Sequence, residues 1–459
     1  MTEQIKSWLA QNQDAILAEL AELVAIPSVS ESLEGAHPFG EACTQALETA
    51  LQIGERHGLK GRNMENYCGY ARLEVNDDAA DFGLIAHLDV VPPLDGWLGD
   101  PFQMQIRDGW AIGRGVMDNK GAAIASYWAL EYLRQHSRPR HNWRVFLGLN
   151  EERGMRDLAY YLEHQPAPAL SLVPDAVFPV CYAEKSHLNV RIALDLSETN
   201  IVSIEAGTVP NIVPAAAKAV IADLKAYEAT PQDLAGLPTR TVEAEGRSKH
   251  ASMPDGSLNA VGVLARKLLD EGLVNPAGRK LLELLESLAN DIHGELTGTA
   301  RDDEALGNTS QVGSIARTEG RTLYYTFDTR FPAIAKADEI AEDLQRFYGP
   351  LGISFEVLRK DDAIPQDPKA PLIGALTRIV NEELGTELKP YTMGGGTYAR
   401  KLPNAYAFGL EQDGQQPPSF LPDGQGGVHQ PNEALNIAGY MQGIAILIKA
   451  MLWLDENID

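Results

Sequence analysis

The stretch Leu84-Ile85-Ala86-His87-Leu88-Asp89-Val90-Val91-Pro92 decides how this chain is read. Its apolar run is that of a buried strand, and it delivers a His with an Asp two positions later. Side chains alternate faces along a strand, so His87 and Asp89 share a face where the strand runs out into a loop. A metal ligand and the carboxylate that orients it are arranged this way, because ligating imidazoles hand their second N–H to a neighbouring acceptor. A strand-end His beside a solvated Asp would read identically. The surrounding chain has to decide.

Upstream, residues 70–75 alternate like a strand, and helices fit 1–24 and 39–58. Pro27 stops the first helix by disfavouring a helical Ile26. Downstream, the Gly-rich turn Gly113-Arg114-Gly115-Val116-Met117-Asp118-Asn119-Lys120-Gly121 leads into a helix over 122–135. A strand over 143–149 ends in Asn150-Glu151-Glu152-Arg153-Gly154, and one over 170–173 ends in Pro174-Asp175. Strands separated by helices imply an α/β domain with a mostly parallel sheet between helices. Sites in such sheets form beyond the strand C-termini. His87, Asp118, Glu151, Glu152 and Asp175 all fall at or just after such ends.

From about residue 186 the texture changes to half-apolar alternation (188–196, 218–224, 322–330) with helices over 260–273 and 279–288. This reads as an antiparallel, half-solvated sheet in an inserted α+β domain. A charged, Pro-containing boundary at 361–367 precedes a return to helix (372–384) and a strongly apolar last helix, 436–454. The expected division is one domain over 1–185 and 366–459, interrupted by another over 186–365.

A length of 459 residues calls for at least two domains. The net charge of −25 argues against nucleic acid or an anionic membrane surface as partner. The N-terminus reads as an amphipathic helix rather than a signal peptide, and no apolar run is counted as membrane-spanning. The three cysteines are scattered without CxxC spacing, which indicates neither a disulfide framework nor a zinc knuckle and suits a reducing cytoplasm.

His87-Leu88-Asp89, Gly113-Arg114-Gly115 with Asp118-Asn119-Lys120-Gly121, Glu151-Glu152-x-Gly154, Pro174-Asp175 and Gly427-Val428-His429-Gln430-Pro431-Asn432-Glu433 resemble, in this order, the motif set of the co-catalytic zinc aminoacylase/carboxypeptidase-type metallopeptidases. Chain length, the large insertion and Gly394-Gly395-Gly396-Thr397-Tyr398-Ala399-Arg400 resemble the dipeptidase V-like branch. The resemblance implies two divalent cations, Zn²⁺ first with Mn²⁺ or Co²⁺ as alternatives. His87, Asp118 and Asp175 would hold one, and Asp118, Glu152 and His429 the other. Asp118 would bridge them, with a cis peptide after it. Glu151 would be the general base acting on a metal-bridging water, and Asp89 would orient His87.

In the inserted domain, Lys249-His250-Ala251-Ser252-x-Pro254 resembles the family's lid motif, which makes His250 the donor to the scissile carbonyl. Asn211 resembles a lid residue that contacts substrate. Arg330 resembles the Arg that grips the substrate carboxylate, which a guanidinium does bidentately. Gly395, Gly396 and Thr397 would offer backbone N–H groups to the same carboxylate. Asn119 departs from relatives that carry a second Asp, Leu149-Asn150 replaces Thr-Asp, and Ser186 stands where Gly is frequent. These departures bear on substrate preference more than on the metal site. The expected function is a metal-dependent dipeptidase acting on short peptides with a free C-terminal carboxylate. An N-acyl-amino-acid deacylase and a catalytically silent paralogue are the alternatives. A monomer is favoured, with a homodimer as the other state.

Overall fold

A computed structural model of the chain describes residues 2–230, 234–412 and 414–458. It has two compact units. The first comprises 1–182, 364–391 and 397–459, and the second 183–363 with 392–396.

The first unit is built on an eight-stranded sheet. Strand Asp81–His87 lies at its middle, parallel to Asn142–Gly148 on one side and Leu170–Val173 on the other. Ala405–Ala407 adds a further parallel strand beside Leu170–Val173, while Cys68–Leu73 pairs antiparallel with Asn142–Gly148. Asp81 to Ala86 are largely apolar and buried, as strands covered on both faces must be. The regular ladder ends at His87. The chain then stays extended through Leu88 N–H to Gly148 O (2.8 Å) and Val90 N–H to Ser28 O (3.0 Å).

Helices Thr2–Val24, Lys120–His136 and Ile437–Asn457 pack together in this unit's core. Lys120 is buried, and its Nζ donates to Leu23 O (2.9 Å) and Ile26 O (2.7 Å), satisfying carbonyls at the end of the first helix. Gly121 is required by close approach, since a Cβ there would sit 2.2 Å from Val116 O. The helix Ile437–Asn457, capped by Asn436, is long and apolar enough to cross a membrane, against the expectation from the sequence that no apolar run reaches that length. Its Ile444, Leu447, Met451 and Leu454 are buried in the first unit, and a core helix of a large domain passes the same test.

The second unit carries a seven-stranded antiparallel sheet. Its order is Thr239–Glu245, Ala216–Ala222, Ile201–Ala206, Ser310–Glu319, Thr322–Phe331, Ser186–Asp195 and Ser354–Asp361. Leu188, Val190, Ile192 and Leu194 form a core with Leu264, Leu268, Leu282, Leu285, Ile340 and Leu344. The edge strand Thr239–Glu245 alternates between exposed and buried. The central strands differ from the half-solvated reading: on their other face His187, Asn189, Ser310, Asp328 and Arg330 are buried as well.

Candidate metal centre

In the first unit, strand ends and loops bring six side chains together. His87 closes its strand, Glu151 and Glu152 open a short turn after strand Asn142–Gly148, and Asp175 follows Leu170–Val173. Asp118 ends the Gly-rich turn, and its peptide with Asn119 is cis. His429 reaches the group from the C-terminal part of the chain, at φ 62°, a left-handed conformation uncommon for a residue with a Cβ.

His87 Nε2 lies 3.0 Å from Asp118 Oδ1 and 3.8 Å from Asp175 Oδ2. His429 Nε2 lies 2.9 Å from Asp118 Oδ2 and 3.0 Å from Glu152 Oε1. One oxygen of Asp118 therefore faces each imidazole. The potential ligand atoms of His87, Asp118 and Asp175, and those of Asp118, Glu152 and His429, each lie within 4.8 Å of one another.

These donors fit divalent cations. His87 Nε2 is buried and makes no hydrogen bond despite the nearby carboxylate. An imidazole nitrogen so placed is positioned as a ligand. The set is imidazole and carboxylate without thiolate, a combination that Zn²⁺, Mn²⁺ and Co²⁺ accept. The electrostatics agree. Burial opposes the His429 imidazolium, but hydrogen bonds to Asp118 and Glu152 outweigh it and push its pKa up to about 11. Burial likewise opposes ionisation of Asp118, yet His429 and His87 beside its two oxygens hold it well below the usual carboxylate range. The cluster demands positive charge between its carboxylates. Glu151 is different: burial foremost, with Asp175, Glu152 and Asp89 also raising it against the pull of His87, lifts its carboxyl well above the ordinary value.

A second layer of side chains holds this geometry. Asp89 accepts from the backbone N–H groups of Glu151 (3.1 Å) and Glu152 (3.2 Å). His87 Nδ1 lies closer to the Asp89 carbonyl (2.9 Å) than to its carboxylate (3.4 Å). Asn119 accepts the His87 N–H (3.2 Å) and donates to Asp175 Oδ1 (2.9 Å). Glu433, fully buried, accepts from Arg114 Nη1 (2.7 Å) and from the N–H groups of Gly115 (3.1 Å), Met117 (2.8 Å) and Asp118 (3.2 Å). Asp157 accepts from Leu149 N–H (2.6 Å) and Asn150 N–H (2.8 Å), just before the Glu pair. Sequence reasoning assigned no role to Glu433, Arg114 or Asp157. Glu433 lies inside the motif at 427–433 and Arg114 inside the Gly-rich turn, which are signals; Asp157 carries none.

In the second unit, an antiparallel bridge between Ile212 and His250 sets Asn211 beside His250, with Nδ2 and Nε2 3.5 Å apart. His250 Nδ1 is 2.6 Å from Ser252 Oγ. The Arg330 guanidinium is held by Asp328 through Nε (3.0 Å) and Nη2 (3.2 Å), and its Nη1 donates to Gly394 O (2.8 Å). Gly395 and Gly396 follow in that loop, and a Cβ on Gly395 would meet nothing within 4 Å. Thr397 begins the return to the first unit, where its hydroxyl accepts the Ala399 N–H (3.1 Å).

Two carboxylate–imidazole groups sharing one aspartate, at the C-terminal mouth of a parallel sheet, are the architecture of a two-cation hydrolase. The chain belongs to peptidase family M20/M25/M40, whose model matches residues 83–453. The Beta-Ala-Xaa dipeptidase of Lactobacillus delbrueckii subsp. lactis is 28% identical to it, covering 100% of this chain and 99% of that protein. Human carnosine dipeptidase 1 superposes with a TM-score of 0.62 at 14% identity, over 99% of each chain. The dipeptidase Dug1p of Saccharomyces cerevisiae gives 0.61 at 13%, over 100% of this chain and 99% of that one.

Proposed function

We propose that this chain is a metal-dependent dipeptidase that hydrolyses short peptides with a free C-terminal carboxylate. Family membership and a relative of matching length acting as a dipeptidase support the reading. The observation that carries it is the pair of ligand groups sharing Asp118, with Glu151 beside them. His87, Asp118 and Asp175 would hold one cation, and Asp118, Glu152 and His429 the other. Zn²⁺ is the first choice, with Mn²⁺ or Co²⁺ suiting the same donors. When bound, such a pair polarises the scissile carbonyl and makes water a better nucleophile.

The remaining work falls to side chains. Glu151 takes the proton of the attacking water and returns it to the leaving amine; its raised pKa gives it affinity for that proton. Asp89 fixes the turn on which Glu151 stands. By family resemblance, His250 donates to the developing oxyanion, Asn211 contacts substrate, and Arg330 with Gly395, Gly396 and Thr397 reads the terminal carboxylate. Three buried thiols (Cys43, Cys68 and Cys181) support a reducing, cytoplasmic setting.

The test is a substrate panel of α-dipeptides, β-alanyl dipeptides and N-acetyl amino acids, before and after exhaustive chelation. Turnover of dipeptides, lost on chelation and restored by Zn²⁺ or Mn²⁺, is expected. Full activity after chelation overturns the mechanism, and preference for N-acetyl amino acids makes the chain a deacylase.

A further inference from the structure

Glu411 is a carboxylate that the proposed mechanism leaves unused. It lies on the short strand Leu410–Glu411, which runs parallel to Ala176–Val177 in the register Leu410↔Ala176 and Glu411↔Val177. Backbone bonds lock this pairing, from Ala176 N–H to Gly409 O (3.0 Å) and from Phe178 N–H to Glu411 O (2.9 Å). The neighbours of Glu411 in sequence face the helix Ile437–Asn457. Gln412 Nε2 donates to Gln442 Oε1 (2.9 Å), and a Cβ on Gly443 would lie 3.3 Å from Leu410 Cβ. Alternation along the strand therefore turns Glu411 to the opposite side. Asp175 directly precedes the partner strand Ala176–Val177, and its charge acts on Glu411.

Glu411 is thus an acidic group beside the candidate metal centre, yet it belongs to neither ligand group. Among the described residues, its carboxylate has no hydrogen-bond or ion-pair partner. It is partly exposed and so open to a ligand. Burial foremost, then the charges of Asp118, Glu433 and Asp175, push its pKa up to about 8, which places the carboxylate within electrostatic reach of the metal centre. A structural carboxylate would be paired; this one is not.

We propose that Glu411 binds the protonated amino terminus of the substrate and so selects free-amine dipeptides over N-acyl amino acids. This rests on the dipeptidase reading above and deepens it. A substrate held at both ends, with its ammonium on Glu411, is one amino acid long on the acyl side. An N-acyl group offers no charge to this carboxylate.

The experiment compares alanyl-alanine, its des-amino analogue propionyl-alanine, and N-acetylalanine with wild type, E411Q and E411D, and measures bound metal for each protein. Wild type is expected to bind propionyl-alanine roughly ten- to hundredfold more weakly than alanyl-alanine, the scale of one hydrogen bond to a charged group. E411Q should lose that much kcat/KM on alanyl-alanine, chiefly through KM, while hydrolysis of N-acetylalanine and metal content stay level. E411D should recover part of the loss. Equal losses on all substrates, or loss of bound metal in E411Q, would overturn the assignment. So would equal wild-type affinity for propionyl-alanine, a readout that stands even where a variant does not fold. A wild type that prefers N-acetylalanine defeats the dipeptidase reading itself. A dipeptide preference that survives in E411Q defeats only the role of Glu411.

Discussion

The carboxylate of Asp89 holds Glu151 by its backbone, with Oδ1 accepting the Glu151 N–H at 3.1 Å. Its other oxygen takes the next N–H, that of Glu152, at 3.2 Å. One buried side chain therefore sets the position of the proposed base and of a proposed ligand together, while its main-chain carbonyl orients His87. In Asp89→Asn, one of the two oxygens becomes an NH₂ facing a backbone N–H. The turn must shift, and both carboxylates move with it. Losses at such supporting positions run to roughly 10–100-fold in activity or metal affinity. We expect that range in kcat with a smaller change in KM, measured with saturating Zn²⁺. A variant indistinguishable from wild type in kcat and metal content would show that the turn needs no such anchor.

Glu151 itself should behave differently. Glu151→Gln preserves shape and removes only the proton acceptor, so kcat should fall by roughly 10²–10⁴ while both metal equivalents remain bound. Metal analysis alongside steady-state kinetics checks this. Retention of more than a tenth of the wild-type kcat would assign the base elsewhere, and a binding protein would be indifferent to the change.

Arg114 and Glu433 are 1% and 0% exposed, and their side chains meet at 2.7 Å. Glu433 also receives three backbone N–H groups of the turn that ends in Asp118. Removing only the cation leaves a buried carboxylate without its counter-charge, a change that costs about 3–5 kcal/mol in comparable pairs. Arg114→Met should show a loss of that order in urea denaturation, and weaker metal binding because Asp118 sits on the same turn. The double variant Arg114→Met/Glu433→Gln should recover part of the stability. If the double variant is less stable than the single one by the full cost of a second deletion, the two side chains are not energetically coupled.

Much of the fold class was legible because burial writes itself into sequence. Leu84, Ile85 and Ala86 form a continuous apolar run, and Leu188, Val190 and Ile192 alternate. His87, Glu151, Glu152 and Asp175 could be nominated because each follows such a run directly. What sequence hides is partnership at a distance. Glu433 lies 318 positions from the Gly115 N–H it accepts, and nothing local marks that bond. Glu411 sits on a two-residue strand, too short to show a period. The strand Ser310–Glu319 is buried on both faces for its first half, with Ser310, Gln311 and Ser314 among the buried residues, so polarity there misleads. The Ile437–Asn457 helix is apolar nearly all round because core packs against most of its circumference.

Asp157 provides a test by pH away from the proposed ligands. Burial foremost, then the charge of Asp89, outweigh the bonds it accepts from Tyr398 Oη and from backbone N–H groups, and its pKa rises to about 6 from an ordinary 3.8. Between those values the folded protein keeps a proton that the unfolded chain has released. Stability contributed by this group is therefore present at low pH and is lost as pH rises through about 4 to 6. The full swing is about 3 kcal/mol, two pKa units and a little more at 1.36 kcal/mol each. Other carboxylates respond to acid too, and Asp118, with its lowered pKa, does so in the opposite sense. The informative quantity is accordingly the stability difference between Asp157→Asn and wild type. It should move in favour of the variant as pH goes from 4 to 7, because the amide never ionises. Urea midpoints at pH 4.5 and 7.0, taken on both proteins in chelator to keep metal linkage out, measure it. A difference that stays constant, or shifts toward wild type as pH rises, would mean that Asp157 is ionised throughout and that its hydrogen bonds, not its burial, set its charge.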